Sequence, residues 1–262
     1  MSLLKQIKSA KQPKPRRIVL YGVEGIGKST WAAHAPSPIF IPTEDGINHL
    51  DVPTFPHTKN FNDVMNATYA LSSEKHEFKT LVMDSADWFE KFIFKQVCDE
   101  TGAESINDPY NKQVNYGKGY ELALVKWDEW LKWGGTCRDG GMNIILIAHC
   151  HTPNFKDPST ESYNRYEPKI YKTISERLRE WADEVFFATY KVYTNTAKEG
   201  FSERTLATGV GERTLKCCEM PSHKAKNRLG LEEGVTEISM KPEEYWNLVS
   251  NCMKGGDNGD DA

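Results

Sequence analysis

The chain has 262 residues, 39% of them hydrophobic and 27% charged, with a formal net charge of -4. That is enough for one large α/β domain or two small ones, and the composition excludes global disorder. It also excludes a polycation, so any nucleic-acid contact has to come from a local basic patch.

Residues 1–16 carry Lys5, Lys8, Lys11, Lys14 and Arg16 without an acidic residue and read as a basic flexible arm. The short apolar run 17–21 ends in glycine and predicts a buried strand. Residues 28–35 predict a helix stopped by Pro36, and 38–41 a second buried strand. A helix is expected over 61–71, a third strand over 80–83 ending at Asp84, and an amphipathic helix over 88–100. Residues 101–119 are polar and rich in Asn and Gly, which predicts an ordered loop or lid. Helical spacing returns over 120–133, and 143–148 predicts a fourth strand ending at His149. Beyond the polar loop 152–166, a helix is expected over 174–181 and a strand over 184–193. Hairpins should follow to about Cys218, with turn signals at 198–200 and 209–211, and the tail from 253 is acidic.

Strands alternating with helices imply a mainly parallel sheet covered on both faces, in one domain over 17–252. The six cysteines form no Cys-x-x-Cys pair, and no window approaches the roughly 20 apolar residues of a membrane span. A reduced compartment without a signal peptide is therefore the expectation.

The chemistry concentrates in a few places. Gly22, Val23, Glu24, Gly25, Ile26, Gly27, Lys28 and Ser29 fit the phosphate-binding pattern G-x-x-x-x-G-K-[ST], with Thr30 following. A tight glycine-rich turn aims backbone N–H groups at phosphate oxygens, and here it lies between a predicted strand and a predicted helix. Lys28 should reach the β- and γ-phosphates of ATP, and Ser29 should ligate Mg2+. Asp84 closes the third strand, which is expected beside the phosphate-loop strand, and should help hold the metal. The residue after Asp84 is Ser85, not a glutamate, so the water-activating base has to come from elsewhere. Glu44, at the end of the second strand, is the candidate, with Asp45 as the fallback. His149, at the carboxyl end of the fourth strand, is a candidate γ-phosphate sensor. A metal site at His149, Cys150 and His151 is disfavoured, because adjacent strand residues face opposite ways. Lys226 and Arg228 could be a solvated charge run or a cationic finger serving a neighbouring subunit. In the 152–166 loop, Lys156, Tyr163, Arg165 and Tyr166 interleave aromatic and basic groups, as single-stranded nucleic acid binding requires.

Together these residues resemble the RecA/DnaB/KaiC branch of P-loop ATPases, and most of all phage-encoded AAA-domain proteins, which include Sak-type RecA-like recombinases. The resemblance runs from about Arg17 to Gly230. It rests on the phosphate loop, Thr43-Glu44-Asp45-Gly46, Val82-Met83-Asp84-Ser85, Tyr116-Gly117-Lys118-Gly119-Tyr120, Ile145-Leu146-Ile147-Ala148-His149 and the Lys224–Gly230 segment. It implies a RecA-like core with a C-terminal β-hairpin extension. It also implies ATP and Mg2+ as cofactors, Glu44 as catalytic carboxylate, His149 as sensor, and Lys226 with Arg228 as a trans-acting finger. The implied partners are single-stranded DNA, further copies of the chain and a single-strand-binding protein, in the cytoplasm of a bacterial host. RecA carries a polymerisation element and a further domain where this chain has a short basic arm and an acidic tail. A RecA-style filament is therefore not expected, whereas oligomerisation is.

Overall fold

A computed structural model describes residues 14–156, 160–191, 193–199, 202–208 and 211–254. Most of the basic arm, and the tail from 255, lie outside these residues. In chain order, β1 (Arg17–Gly22), α1 (Lys28–Ala33), β2 (Pro38–Pro42), α2 (Phe61–Ser73) and β3 (Thr80–Asp84) come first. The helices α3 (Ala86–Thr101) and α4 (Lys118–Asp139) then lead to β4 (Asn143–His151). A two-stranded ribbon, β5 (Asn154–Phe155) with β6 (Tyr163–Asn164), follows, and β7 (Glu167–Pro168) pairs back onto the end of β4. After α5 (Lys172–Trp181) and β8 (Glu184–Tyr190) come an antiparallel hairpin, β9 (Tyr193–Glu199) with β10 (Ser202–Thr208), then β11 (Arg213–Lys216), β12 (Glu237–Ser239) and α6 (Pro242–Lys254).

The main sheet has the order β12-β11-β8-β1-β4-β3-β2. The strands from β8 to β2 run parallel, and β11 and β12 add an antiparallel edge. This is a RecA-like P-loop architecture with a hairpin-rich extension, as expected. One expectation is corrected: β3 does not lie beside β1, because β4 pairs with both and separates them. Asp84 is level with Ile147 on β4, and Gly22 with His149, so all three strands still end on one edge.

The near-continuous apolar runs follow from burial on both faces. Val19 and Tyr21 of β1 pack into one core with Leu81, Met83, Ile144 and Leu146, under helices α2 to α5. Ile18 and Leu20 point the other way, into a second core with Val82, Ile145, Ile147 and Trp31. α6, which sequence reading left unassigned, closes that second core. Tyr245 is fully buried, with its ring 5.1 Å from Trp31 and 5.6 Å from Phe186. The helix takes in residues 253 and 254, so the tail begins later than the sequence suggests.

The expected loop before α4 is ordered by its own polar side chains. Asp108 accepts from the backbone N–H groups of Glu104 and Tyr110, and Asn111 donates to the Thr101 carbonyl at 2.9 Å. Among the described residues, no helix is long and apolar enough to cross a membrane.

Candidate active site

The phosphate loop joins β1 to α1. Gly22 has to be glycine because a Cβ there would stand 2.2 Å from the Ala188 carbonyl oxygen on β8. Gly27, at the cap of α1, has φ 93°, a left-handed conformation that side chains disfavour. Lys28 folds back over the loop, and its Nζ donates to the carbonyls of Gly22 and Val23, both at 3.1 Å. Burial lowers the Lys28 pKa, against the opposing charge of Asp84. Two neutral carbonyls are weaker partners for an ammonium than a phosphate oxygen would be.

Ser29 Oγ donates to Asp84 Oδ2 at 2.5 Å. Asp84 is 4% exposed, and burial raises its pKa despite Ser29 and Lys28. A hydroxyl beside a buried carboxylate, both hard oxygen donors, is a donor set that fits Mg2+ and would hold it.

The end of β2 is tied to the end of β3. Thr43 N–H donates to the Asp84 carbonyl at 2.8 Å. Thr43 Oγ1 donates to the Ser85 carbonyl at 2.7 Å and accepts from the Ser85 N–H at 2.6 Å. Glu44 follows this fixed point and turns into the site, where burial raises its pKa. Asp45 instead is 93% exposed at its side chain and lies 3.9 Å from His57, which disfavours it as the base.

His149 lies between two carboxylates. Its Nδ1 is 3.0 Å from Asp87 Oδ2 and its Nε2 is 3.9 Å from Glu44 Oε1. A carboxylate only accepts, so Nδ1 carries the proton and Nε2 is left to face the cleft. The Asp87 hydrogen bond raises the His149 pKa, with burial opposing. Burial disfavours ionised Asp87, but hydrogen bonds from the His149 ring and backbone hold its pKa below the ordinary value. Sequence reasoning missed Asp87. An acid in the first turn of α3 suits the helix dipole and carries no other signal.

Lys28, Ser29, Glu44, Asp84 and His149 line one cleft of about 390 Å³, joined by Arg213 of β11, which sequence reading also missed.

Other expected residues are elsewhere. Lys226 bridges to Val185 near the start of β8, at the opposite edge of the sheet. Its Nζ donates to the carbonyls of Arg179 and Ala182, each at 2.7 Å, which ends α5. That ammonium is engaged within its own chain, where it closes the end of α5. Arg228 is 3.5 Å from Asp183, with its side chain 55% exposed. Arg165 is only 5% exposed. It pairs with Glu219 at 2.7 Å and lies 4.8 Å over the Phe155 ring. The expected phosphate contact at Arg165 is corrected accordingly, because a buried, paired guanidinium cannot meet nucleic acid. Tyr163 packs on Phe155 at 5.5 Å, and Tyr166 stacks on Phe187 at 4.7 Å yet stays partly exposed, as does Lys156.

Residues 14–229 match the AAA domain family. The chain belongs to that family. As an AAA domain protein it is a P-loop NTPase by lineage, a family membership that implies nucleotide binding. The chain is 27% identical over 144 residues to the SPbeta prophage-derived uncharacterized protein YorG of Bacillus subtilis (strain 168). That match takes in 53% of this AAA domain protein but only 42% of its relative's length. Among solved structures, the flagellar accessory protein FlaH from Methanocaldococcus jannaschii aligns over 82% of this chain and 88% of its own. The identity there is 11% and the TM-score 0.36.

Proposed function

We propose that this protein is an Mg2+-dependent ATPase that binds single-stranded DNA and acts in phage recombination, annealing or replication. The observation that carries the ATPase reading is the His149 imidazole held between Glu44 and Asp87, across one cleft from Lys28, Ser29 and Asp84. Lys28 exchanges its two carbonyls for phosphate oxygens. Mg2+, when bound by Ser29 and Asp84, neutralises charge on the phosphate oxygens. Glu44 accepts the proton of the attacking water; its raised pKa makes it a better base than an ordinary carboxylate. Protonated at both ring nitrogens, a state that Asp87 favours, His149 donates Nε2–H to the γ-phosphate and is oriented by Asp87.

The DNA reading is supported by exposed aromatics near lysines. Tyr110 is 95% and Tyr116 94% exposed, in the ordered loop that also carries exposed Lys112 and leads into exposed Lys118 at the start of α4, while Lys156 extends from the other loop. Such side chains stack on bases and contact phosphates without reading sequence. The prophage origin of the YorG relative supports a phage setting. Arg228 lies at the edge of the sheet remote from its own phosphate loop, so only a neighbouring copy's nucleotide could meet it. In a homo-oligomer its half-exposed guanidinium is available to act in trans.

ATP turnover with and without single-stranded DNA, with oligomeric state measured in parallel, tests this. Stimulation by DNA is expected. Turnover indifferent to DNA at every concentration, but responsive to a protein partner, would favour a regulatory ATPase of the helicase-loader or KaiC kind. Mixing Glu44→Gln with Arg228→Ala subunits should restore activity at interfaces that pair the intact halves. No gain from demonstrably co-assembled variants would refute the finger.

A further inference from the structure

Arg213 is the first residue of β11. Because β11 runs antiparallel to β8, that first residue pairs with Tyr190 at the carboxyl end of β8, on the same edge as the phosphate loop. Its backbone is held there: Arg213 carbonyl accepts from Met240 N–H, and the preceding Glu212 carbonyl accepts from Lys191 N–H at 2.8 Å. The side chain reaches across β8 to the loop. Its Nη1 stands 2.7 Å from where a Cβ on Gly27 would be, so the guanidinium rests directly on the loop backbone.

The side chain is also unbalanced. Arg16, Arg17, Arg138, Arg165, Arg177, Arg179 and Arg228 each have a carboxylate partner. Among the described residues Arg213 has none, although it is exposed and lines the cleft with Lys28. An arginine fork held against a phosphate loop without an acidic partner is suited to bind phosphate oxygens in pairs.

We propose that Arg213 is a nucleotide-binding residue that acts in cis, taking the α- and β-phosphate oxygens of ATP from the β8–β11 side of the loop. The sheet order selects these phosphates. Glu44, Asp84 and His149 end strands β2, β3 and β4, all on one side of β1, and gather where the γ-phosphate is cleaved. Arg213 belongs to the other side, across β8. It therefore binds what ATP and ADP share, and it ties the C-terminal extension to the bound nucleotide. This rests on the reading of the cleft as an ATP site.

The test is the affinity of the full chain for ATP and ADP by calorimetry, for wild type, Arg213→Ala, Arg213→Lys and Lys28→Ala, with a thermal melt for each. Arg213→Ala should weaken ATP and ADP alike by roughly 10–100-fold, the worth of one charge-assisted hydrogen bond. KM for ATP should rise in step with the lost affinity. Arg213→Lys should recover part of the affinity. If Lys28→Ala loses binding while Arg213→Ala binds both nucleotides as wild type does, the Arg213 inference alone is wrong. A loss confined to ATP overturns the choice of phosphates. A fall in turnover with unchanged affinity overturns the binding role. If Lys28→Ala also binds normally, the ATP-site reading fails and this inference with it.

Discussion

Both edges of the central sheet carry clustered charges, and they differ in how that charge is balanced. At the amino edge, Asp183 takes Arg17 and Arg138, each at 3.1 Å, and Arg228 at 3.5 Å. Glu184, with no exposure, takes Arg16, and Lys226 caps α5. Positive and negative groups satisfy one another inside the chain. At the carboxyl edge, Lys28 has two carbonyls, Asp84 one hydroxyl, and Arg213 no acid among the described residues. Burial raises the pKa of Asp84 and Glu44 there, as it does that of Glu184 at the amino edge, so the difference lies in the partners. A site whose charges are incompletely matched within the protein is one whose ligand supplies the remainder. At the amino edge the buried charges, Asp183 with Arg17 and Arg138 and Glu184 with Arg16, are a structural device, and only Arg228, half-exposed, extends from it.

Substitutions on the two edges should therefore separate activity from stability. Lys28→Ala should have the largest effect, abolishing hydrolysis and greatly weakening ATP binding in a protein that still folds. Unchanged turnover would remove the basis of the comparison. Glu44→Gln should bind ATP normally and hydrolyse it roughly 10²–10⁴-fold more slowly, the usual contribution of a positioned base. If Asp45→Asn is the crippled variant instead, the exposed side chain of Asp45 moves inward during turnover and the base is misassigned.

Asp87→Asn should act through His149, lowering turnover by about tenfold, less than loss of the group that moves the proton. Its signature is a pH shift. The Asp87 hydrogen bond raises the His149 pKa, so protonated His149 persists to higher pH in the wild type. Without that carboxylate, the limb of the rate profile that reports His149 should move to lower pH. An unmoved limb would mean that His149 does not govern it.

The opposite edge should show the reverse pattern. Asp183→Asn leaves three guanidinium groups without their shared acid, at a cost of about 3 kcal/mol. For a chain of this size that is a fall in Tm of roughly 6–12 °C, with turnover per folded molecule falling far less than in Lys28→Ala. Burial opposes ionised Asp183, but the hydrogen bond and charge of Arg17, then the charge of Arg138, hold its pKa below the ordinary value. Its stabilisation is thus present above the unfolded value, about pH 4, and is lost as pH falls through the folded one. The acid limb of the wild-type Tm–pH curve should flatten correspondingly in Asp183→Asn.

By itself the sequence determined what depends on neighbours in the chain. The spacing of Gly22, Gly27, Lys28 and Ser29 sets a phosphate loop, because the chemistry requires those groups within one turn. The apolar runs before Gly22, Pro42, Asp84 and His149 mark buried strands, so the candidate ligands and base were legible as strand ends. Tertiary structure decided what depends on which groups meet across long stretches of chain. It inserted β4 between β1 and β3, brought Asp87 to His149 from 62 residues away, and placed Arg213 against Gly27. It also buried Arg165 on Glu219 and engaged Lys226 with the end of α5, two cations whose local sequence suggested free charge. The reason is physical: a charged side chain acts according to the partner that balances it, and that partner is chosen by packing.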